Sequence, residues 1–375
     1  MTSYDIATSE GALGYLSSSF IPVESVSRLT GGGGNYTYRL FLRETYEGRK
    51  TLVLKHGKPY PPGMPSFDLP LDRRGYEVTA MKKVKEWLPY DSIVTVPTIH
   101  LFDEEANVIV MDDCGEHSKT LKQWMVDGLP SPEVASEIGN AIGTFLGNFH
   151  EWGSESQELR DLFKDNINGR KISAVITYGL LTSTLAGGEG SPPPLNDPPL
   201  GISQQQLIKV DGICRDMYDK IMTMSEVVVM GDFWPGNIMV SFSGEGSSSK
   251  LERIYVLDWE LTKPGLAGLD VGQLCAELQT LRRFHDNCVI PATELILTFL
   301  TSYRGCRRGA GSLKELARIA SVHLGAHLIA WTPRVPWGGK EKTREVVKEG
   351  VKYLIDGYGG TQEYLEESLF KPLVC

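Results

Sequence analysis

Met230-Gly231-Asp232-Phe233-Trp234-Pro235-Gly236-Asn237 follows the apolar run Val227–Val229 and runs directly into Ile238-Met239-Val240. An Asp and an Asn five positions apart, in a loop between two β-type runs, have the spacing of a phosphoryl-transfer loop. The Asp must reach an acceptor hydroxyl, orient it and take its proton. The Asn, one loop-turn later, must face a metal on the phosphates. Pro235 and Gly236 suit a tight turn that aims both side chains at one point. Asp232 is thus the candidate catalytic base and Asn237 a candidate metal ligand. A lone Asp-x-x-x-x-Asn is as often a capped surface turn, so the weight falls on its surroundings.

Downstream, Ile254-Tyr255-Val256-Leu257-Asp258-Trp259-Glu260 ends an apolar strand in a carboxylate 21 residues after Asn237. A hard cation such as Mg²⁺ takes oxygen ligands and bridges β- and γ-phosphates. Asn237 and Asp258 are its natural protein ligands, with Glu260 a further candidate that could equally be a solvated charge. Upstream, Gly31–Gly34 and Asn35 precede a strand, where backbone without side chains can approach phosphates closely; Gly32, Gly33, Gly34 and Asn35 are the candidate phosphate contacts. Lys55 closes Leu52-Val53-Leu54-Lys55, where an ammonium would meet the α- and β-phosphates of ATP. Glu77 on the following helical stretch is placed to hold it. An apolar strand then leads to Met111. The chain has no Gly-x-x-x-x-Gly-Lys-Ser/Thr, which removes the P-loop as a model. The order of glycine turn, Lys55, Glu77, Met111, Asp232, Asn237 and Asp258 is that of a kinase.

With those residues in place, the chain resembles the aminoglycoside phosphotransferase/choline kinase superfamily. Met230–Ile238 is similar to its His-Gly-Asp-x-x-x-x-Asn-Ile loop, and Leu257-Asp258-Trp259-Glu260 to its Asp-x-Glu metal motif. Within the superfamily the resemblance points to the methylthioribose-kinase-like branch and the fungal relatives that include 4-hydroxytryptamine kinase. Leu54–Pro59, Ile254–Lys263 and Ala326–Thr332 carry it, so it spans nearly the whole chain. The resemblance implies a protein-kinase-like bilobal α+β fold and the use of ATP and Mg²⁺. It makes Lys55 the phosphate anchor, Asp232 the base, and Asn237 and Asp258 the metal ligands. Asp270 would buttress the loop from a helix start. The backbone of Met111, Asp113 and Cys114 would form the hinge that reads adenine. The family's loop His is Met230 here, a departure that removes no ligand but puts activity in question.

The periodicities suit that fold. Tyr38–Leu42 and Thr51–Leu54 read as strands around a turn containing Gly48, Leu71–Trp87 as a helix, and Val94–Leu101 and Val108–Met111 as further strands. Beyond them, Pro132–Trp152 carries Val134, Ile138, Ile142, Phe145, Leu146 and Phe149 on one helical stripe ending at Gly153. Val227–Met230, Met239–Phe242 and Ile254–Leu257 read as strands; Val271–Ser302, Leu313–Trp331 and Glu341–Asp356 read as helical. The expected division is residues 1–111 as a β-rich N-lobe, 112–118 as the hinge and 119–375 as a mainly helical C-lobe. Gly187–Gly201 reads as an exposed loop and Ser243–Lys250 as a flexible hairpin tip.

The chain's 375 residues exceed one compact core, and 41% hydrophobic with 23% charged residues is ordinary for a cytoplasmic globular protein. A net charge of −9 argues against a nucleic-acid partner. The first residues lack the basic and apolar regions of a signal peptide, and no stretch reaches the roughly 20 apolar residues of a membrane span. Six scattered cysteines with no Cys-x-x-Cys pair read as reduced thiols.

Only eleven residues separate Asp258 from Asp270 and no Ala-Pro-Glu follows, which leaves no room for a peptide-docking platform. The acceptor is therefore expected to be a small hydroxyl-bearing metabolite such as an amine, a sugar or a hydroxylated aromatic. His323, His327, Trp331, Trp337 and Arg334 are candidates for its pocket, against a plainer reading as core packing and surface charge. A catalytically inactive nucleotide-binding scaffold is the competing account. Oligomeric state is not encoded in any of these signals.

Overall fold

The computed structural model describes residues 4–375 except 31–32, 129–130, 189, 244–249 and 309–311. The chain forms two compact units, Met1–Ser118 with Met239–Glu260, and Lys119–Ile238 with Leu261–Cys375.

The first unit opens with a helix, α1 (Ser9–Leu16), and continues through β1 (Val23–Arg28), β2 (Tyr36–Tyr46), β3 (Arg49–His56), α2 (Arg73–Trp87), β4 (Val94–Thr95), β5 (Ile99–Asp103) and β6 (Val108–Asp112). β2 and β3 are joined through Glu47 and Gly48, both left-handed (φ 49° and 81°), the turn whose twist matches paired strands. The five-stranded sheet has the antiparallel order β1-β2-β3-β6-β5. Alternating residues Tyr38, Leu40, Leu52, Leu54, Val108 and Val110 form its buried face, closed by Ile6, Ala12 and Leu16. Each fully buried Leu or Val adds about 1.5–3 kcal/mol. The expected strand Val94–Leu101 is broken in two. Pro97 has no N–H to offer a ladder, so Val94–Thr95 pairs elsewhere and the sheet strand begins at Ile99.

The second unit begins with a two-residue strand, β7 (Lys119–Thr120), then α3 (Leu121–Val126), α4 (Pro132–Glu155), α5 (Gln157–Phe163), α6 (Ile167–Thr177), α7 (Leu181–Ala186), α8 (Gln204–Thr223) and β8 (Val227–Val229). The chain then gives β9 (Ile238–Ser243) and β10 (Lys250–Val256), both followed below, and returns with β11 (Lys263–Gly265), α9 (Gly268–Phe284), α10 (Val289–Cys306), α11 (Leu313–Trp331) and α12 (Lys340–Gly359). Ser131 caps α4 by accepting from the Val134 N–H, and Pro132 sits where a helix needs no donor. Gly139, Gly143 and Gly147 let α4 lie on α10: a Cβ at Gly143 would come 2.4 Å from the Phe299 carbonyl oxygen. The expected helix Val271–Ser302 is interrupted. His285 is extended, a short 3₁₀ turn covers Asp286–Cys288, and Pro291 falls in the first turn of α10, where its missing N–H costs nothing.

The hairpin β9–β10 corrects the expected boundary. Residues 239–260 group with the first unit rather than with 119–375, because β10 runs parallel to β4, Ile254 beside Val94 and Tyr255 beside Thr95. The tip expected over Ser243–Lys250 lies outside the described residues save for its ends. An α+β fold is thus assembled from an antiparallel sheet with one buried face and a largely helical remainder. No helix among the described residues is long and apolar enough to cross a membrane.

Candidate active site

In the first unit, Lys55 lies near the end of the central strand β3, paired with Thr37 on one side and Ile109 on the other. Its ammonium donates to Glu77 Oε1 at 2.6 Å and also to the Asp258 carboxylate. Glu77, on α2, is 1% exposed and receives Arg74 at 2.9 Å. Burial alone would push the Lys55 ammonium down, but Asp258 and Glu77 outweigh it and hold it above the ordinary lysine value. Burial would likewise raise the Asp258 carboxyl; the adjacent Lys55 charge reverses this and keeps it below the usual range. Asp258 sits at φ 66°, a left-handed backbone that a non-glycine residue rarely adopts. That geometry turns its carboxylate back toward Lys55 at the end of β10.

Ligand oxygens of Glu77, Asp258 and Glu260 all lie within 4.8 Å of one another. An all-oxygen set of this kind fits a hard divalent cation. The three are unequal: the Asp258 side chain is 30% exposed, that of Glu77 1% and that of Glu260 11%. Glu260 already accepts from Asn35 Nδ2 at 3.2 Å and Arg73 Nε at 3.1 Å. Burial and the neighbouring Asp258 charge raise its carboxyl. Of the three carboxylates, that of Asp258 is therefore the most accessible.

Gly34 and Asn35 are held by the same network. Arg73 donates to the Gly34 carbonyl at 3.2 Å and, with Arg74, to Asn35 Oδ1. Gly33 faces open space, and a Cβ on Gly34 would stand 3.4 Å from Glu260 Oε1. Gly32 lies outside the described residues. At the expected hinge, Met111 is buried in β6, and the Asp113 side chain is taken by Arg39 at 2.6 and 3.1 Å. Burial pushes the Cys114 thiol far up, so it is a neutral thiol rather than a nucleophile.

In the second unit, the loop after β8 is fixed from behind by Asp270. Its buried carboxylate accepts the Met230 N–H at 2.7 Å and the Gly231 N–H at 2.9 Å, and meets His150 at 3.1 Å. His150 in turn meets the Tyr303 hydroxyl at 2.8 Å, and burial pushes its imidazole toward the neutral form. Met230 itself is core, 0% exposed: the loop is held through its backbone, so a side chain without hydrogen bonds suffices at that position. Gly231 must be glycine. Its φ is 85°, and a Cβ would lie 2.3 Å from Lys263 Nζ. Lys263 is wholly buried, donates to the Leu261 carbonyl at 3.0 Å and is pushed by burial down to about 8.

Asp232 follows, its Oδ1 accepting from Gln273 Nε2 at 2.6 Å and its Oδ2 from Asn237 Nδ2 at 2.8 Å. Trp234 folds over Gly236, where a Cβ would meet the indole at 2.2 Å, and the Asn237 N–H closes the turn on the Trp234 carbonyl at 2.9 Å.

One helical turn beyond Gln273, α9 presents Glu277. It accepts from Lys122 at 3.2 Å and meets His327 Nε2 at 2.8 Å. Burial would raise this carboxyl, yet His327 and Lys122 prevail and hold it below the ordinary value, hence ionised. The Lys122 ammonium lies 4.1 Å from the Trp337 ring centroid and 5.1 Å from that of Trp234. His323 is a satisfied core histidine, hydrogen-bonded to Tyr178 at 3.0 Å and pushed by burial down to about 3. Arg334 is tied to Thr184 Oγ1 at 2.9 Å and to the Ala330 carbonyl. Trp331 packs at the edge of a helical core cluster. Arg73, Arg74, Gln273, Glu277, Lys122 and Lys263 carry no motif; polar residues of this kind on helices and loops read as solvated until tertiary packing buries them.

The first unit thus joins Lys55 to Glu77 and Asp258, and the second holds the Asp-x-x-x-x-Asn loop on a buried Asp. No family model matches the chain. It is 32% identical over 367 residues to the 4-hydroxytryptamine kinase of Psilocybe cubensis, covering 95% of this chain and 94% of that protein. The corresponding enzyme of Psilocybe cyanescens is 31% identical over 361 residues, covering 93% and 92%. A methylthioribose kinase of Bacillus cereus is 28% identical over 255 residues, covering 66% of this chain and 58% of its own. Among solved structures, the choline kinase of Cryptosporidium parvum aligns over 94% of this chain and 92% of its own with a TM-score of 0.49 and 11% identity. Identity of 32% and 31% over nearly the full length of both chains makes this protein a small-molecule kinase, and it belongs to the family that includes the 4-hydroxytryptamine kinases.

Proposed function

We propose that this kinase transfers the γ-phosphoryl group of ATP, as its Mg²⁺ complex, to the hydroxyl of a small aromatic amine of the hydroxytryptamine class, in the cytoplasm. The observation that carries the acceptor class is Glu277. It is an ionised, nearly buried carboxylate one helical turn from the glutamine that holds Asp232, already binding a cation that rests on two indole rings. A carboxylate flanked by aromatic faces suits a protonated amine. The near-full-length likeness to the Psilocybe enzymes supports the same class.

In this reading Asp232, oriented by Gln273 and Asn237, receives the acceptor's proton as the hydroxyl attacks. Asn237 and Asp258 would hold Mg²⁺, with Glu260 a further candidate ligand; when bound, the ion would supply charge neutralisation on the phosphates. Lys55, kept in place by Glu77, neutralises phosphate charge. Backbone of Gly33 and Gly34 approaches the phosphates, and backbone from Met111 through Asp113 and Cys114 reads adenine. Every transfer position is filled, which disfavours an inactive scaffold.

A paired-acceptor experiment tests the class. Glu277→Gln should raise KM for a hydroxylated tryptamine about 10- to 100-fold, the loss of a charge-assisted hydrogen bond. KM for the matching hydroxyindole without the amine should change less than about twofold. Equal changes for both acceptors would remove Glu277 as the amine contact.

A further inference from the structure

Two adjacent arginines of α2 are buried to 1% exposure, a rare condition for a residue that cannot give up its charge. Together with Lys55 they set three cations against Glu77, Asp258 and Glu260, so the cluster is charge-balanced. The two arginines do different work. Arg74 faces the strand side, donating to Glu77 at 2.9 Å and to the Lys55 carbonyl at 3.0 Å. Arg73 faces the loops. Its guanidinium donates to the carbonyls of Leu69 at 3.2 Å and Pro70 at 3.0 Å, to the Gly34 carbonyl at 3.2 Å, to Asn35 Oδ1 at 3.0 Å and to Glu260 Oε2 at 3.1 Å. Asn35 closes the ring by donating to the same Glu260 oxygen at 3.2 Å.

We infer that Arg73 is a positioning residue of the nucleotide site, a five-point clamp that ties Gly34 and Asn35 to the strand end carrying Asp258. The inference rests on the phosphotransferase reading above and assigns a function to a residue that no motif marks. Its physical content is coupling. Glu260 stands two residues from Asp258 and is bound by both Arg73 and Asn35, so a cation drawn to Asp258 acts on the carboxylate that anchors Asn35. Lysine cannot replace this guanidinium, because a point ammonium with three donors cannot span five acceptors in a planar fork. Glu260 then serves Gly34 and Asn35 first and the metal second, in contrast to its sequence-level reading as a metal ligand.

The test is nucleotide binding by calorimetry, with ATP in Mg²⁺ and with ATP in EDTA, on the full chain. The ratio of the two affinities in the native protein defines the Mg²⁺ factor, expected to exceed about tenfold. Arg73→Lys should shrink that factor at least about fivefold and raise KM for ATP about tenfold, while KM for the acceptor stays within about twofold. Asn35→Ala keeps both arginines and should shrink the same factor even if Arg73→Lys folds poorly. An unchanged Mg²⁺ factor in a folded Arg73→Lys or Asn35→Ala protein overturns the inference. Equal rises in KM for ATP and acceptor also overturn it, since they mark a merely structural arginine. Failure of the native chain to bind ATP would instead sink the phosphotransferase reading, which keeps the two apart.

Discussion

Asp232→Ala should lower kcat about 10³-fold, the usual worth of a positioned general base, and leave ATP affinity nearly unchanged. The side chain is held at both oxygens, by Gln273 at 2.6 Å and Asn237 at 2.8 Å, so its orientation is set before any acceptor arrives. The loop backbone should survive the substitution. Its fixed points are the Met230 and Gly231 N–H groups on Asp270, and the Lys122 N–H on the Pro235 carbonyl at 3.0 Å, none of which involves the Asp232 side chain. Single-turnover rates paired with calorimetric ATP binding check both halves. A loss of binding as large as the loss of rate would mean that the residue holds the nucleotide or the fold rather than the proton.

Lys55→Met is the second large effect, and it should appear in stability as well as in rate. The native ammonium is shared by Glu77 and Asp258, and its removal leaves two carboxylates facing each other with Arg74 the nearest compensation. Breaking a fully buried pair costs about 3–5 kcal/mol, but the Asp258 side chain is 30% exposed and water relieves part of this, so about 2–3 kcal/mol is expected. Denaturant unfolding measures it. KM for ATP should rise about 100-fold or more in the same variant. Native stability combined with native ATP affinity would show that Lys55 is a bystander.

The sequence makes Lys55 and Glu77 readable as a pair because each sits on an element with a clear period, a β run and a helix, and the structure joins them at 2.6 Å. The helix over Leu313–Trp331 is legible to its ends for the same reason. Legibility stops where a long-range partner decides. The hairpin of β9 and β10 has its own good strand pattern, but its unit is fixed by pairing with Val94 and Thr95, some 160 residues away in sequence. The break near His285 is carried by one extended residue and a proline that suits a first turn as well as an interior kink. Arg73 and Arg74 look like surface charges on a helix; only Asn35, Glu77 and Glu260, from three separate stretches, turn them into a buried network. Met230 is the converse case. The side chain at this position departs from the family motif, whereas the loop is held by its N–H groups, which no letter of the sequence displays.

The charge chemistry around Glu277 follows the same logic. Glu277 stays ionised because Lys122 and His327 outweigh its burial, and both are brought to it by helices distant in the chain. Nothing in the spacing of Gln273 and Glu277 alone separates this from an ordinary helix surface; the partners do.

Phosphorus NMR of a reaction holding the protein, ATP, Mg²⁺ and a hydroxylated tryptamine tests the central claim most directly. The account predicts one new phosphate-monoester resonance on the acceptor oxygen, appearing in step with ADP and absent with Asp232→Ala. A phosphoramidate resonance on the amine, or ADP and inorganic phosphate with the acceptor unchanged, would contradict it.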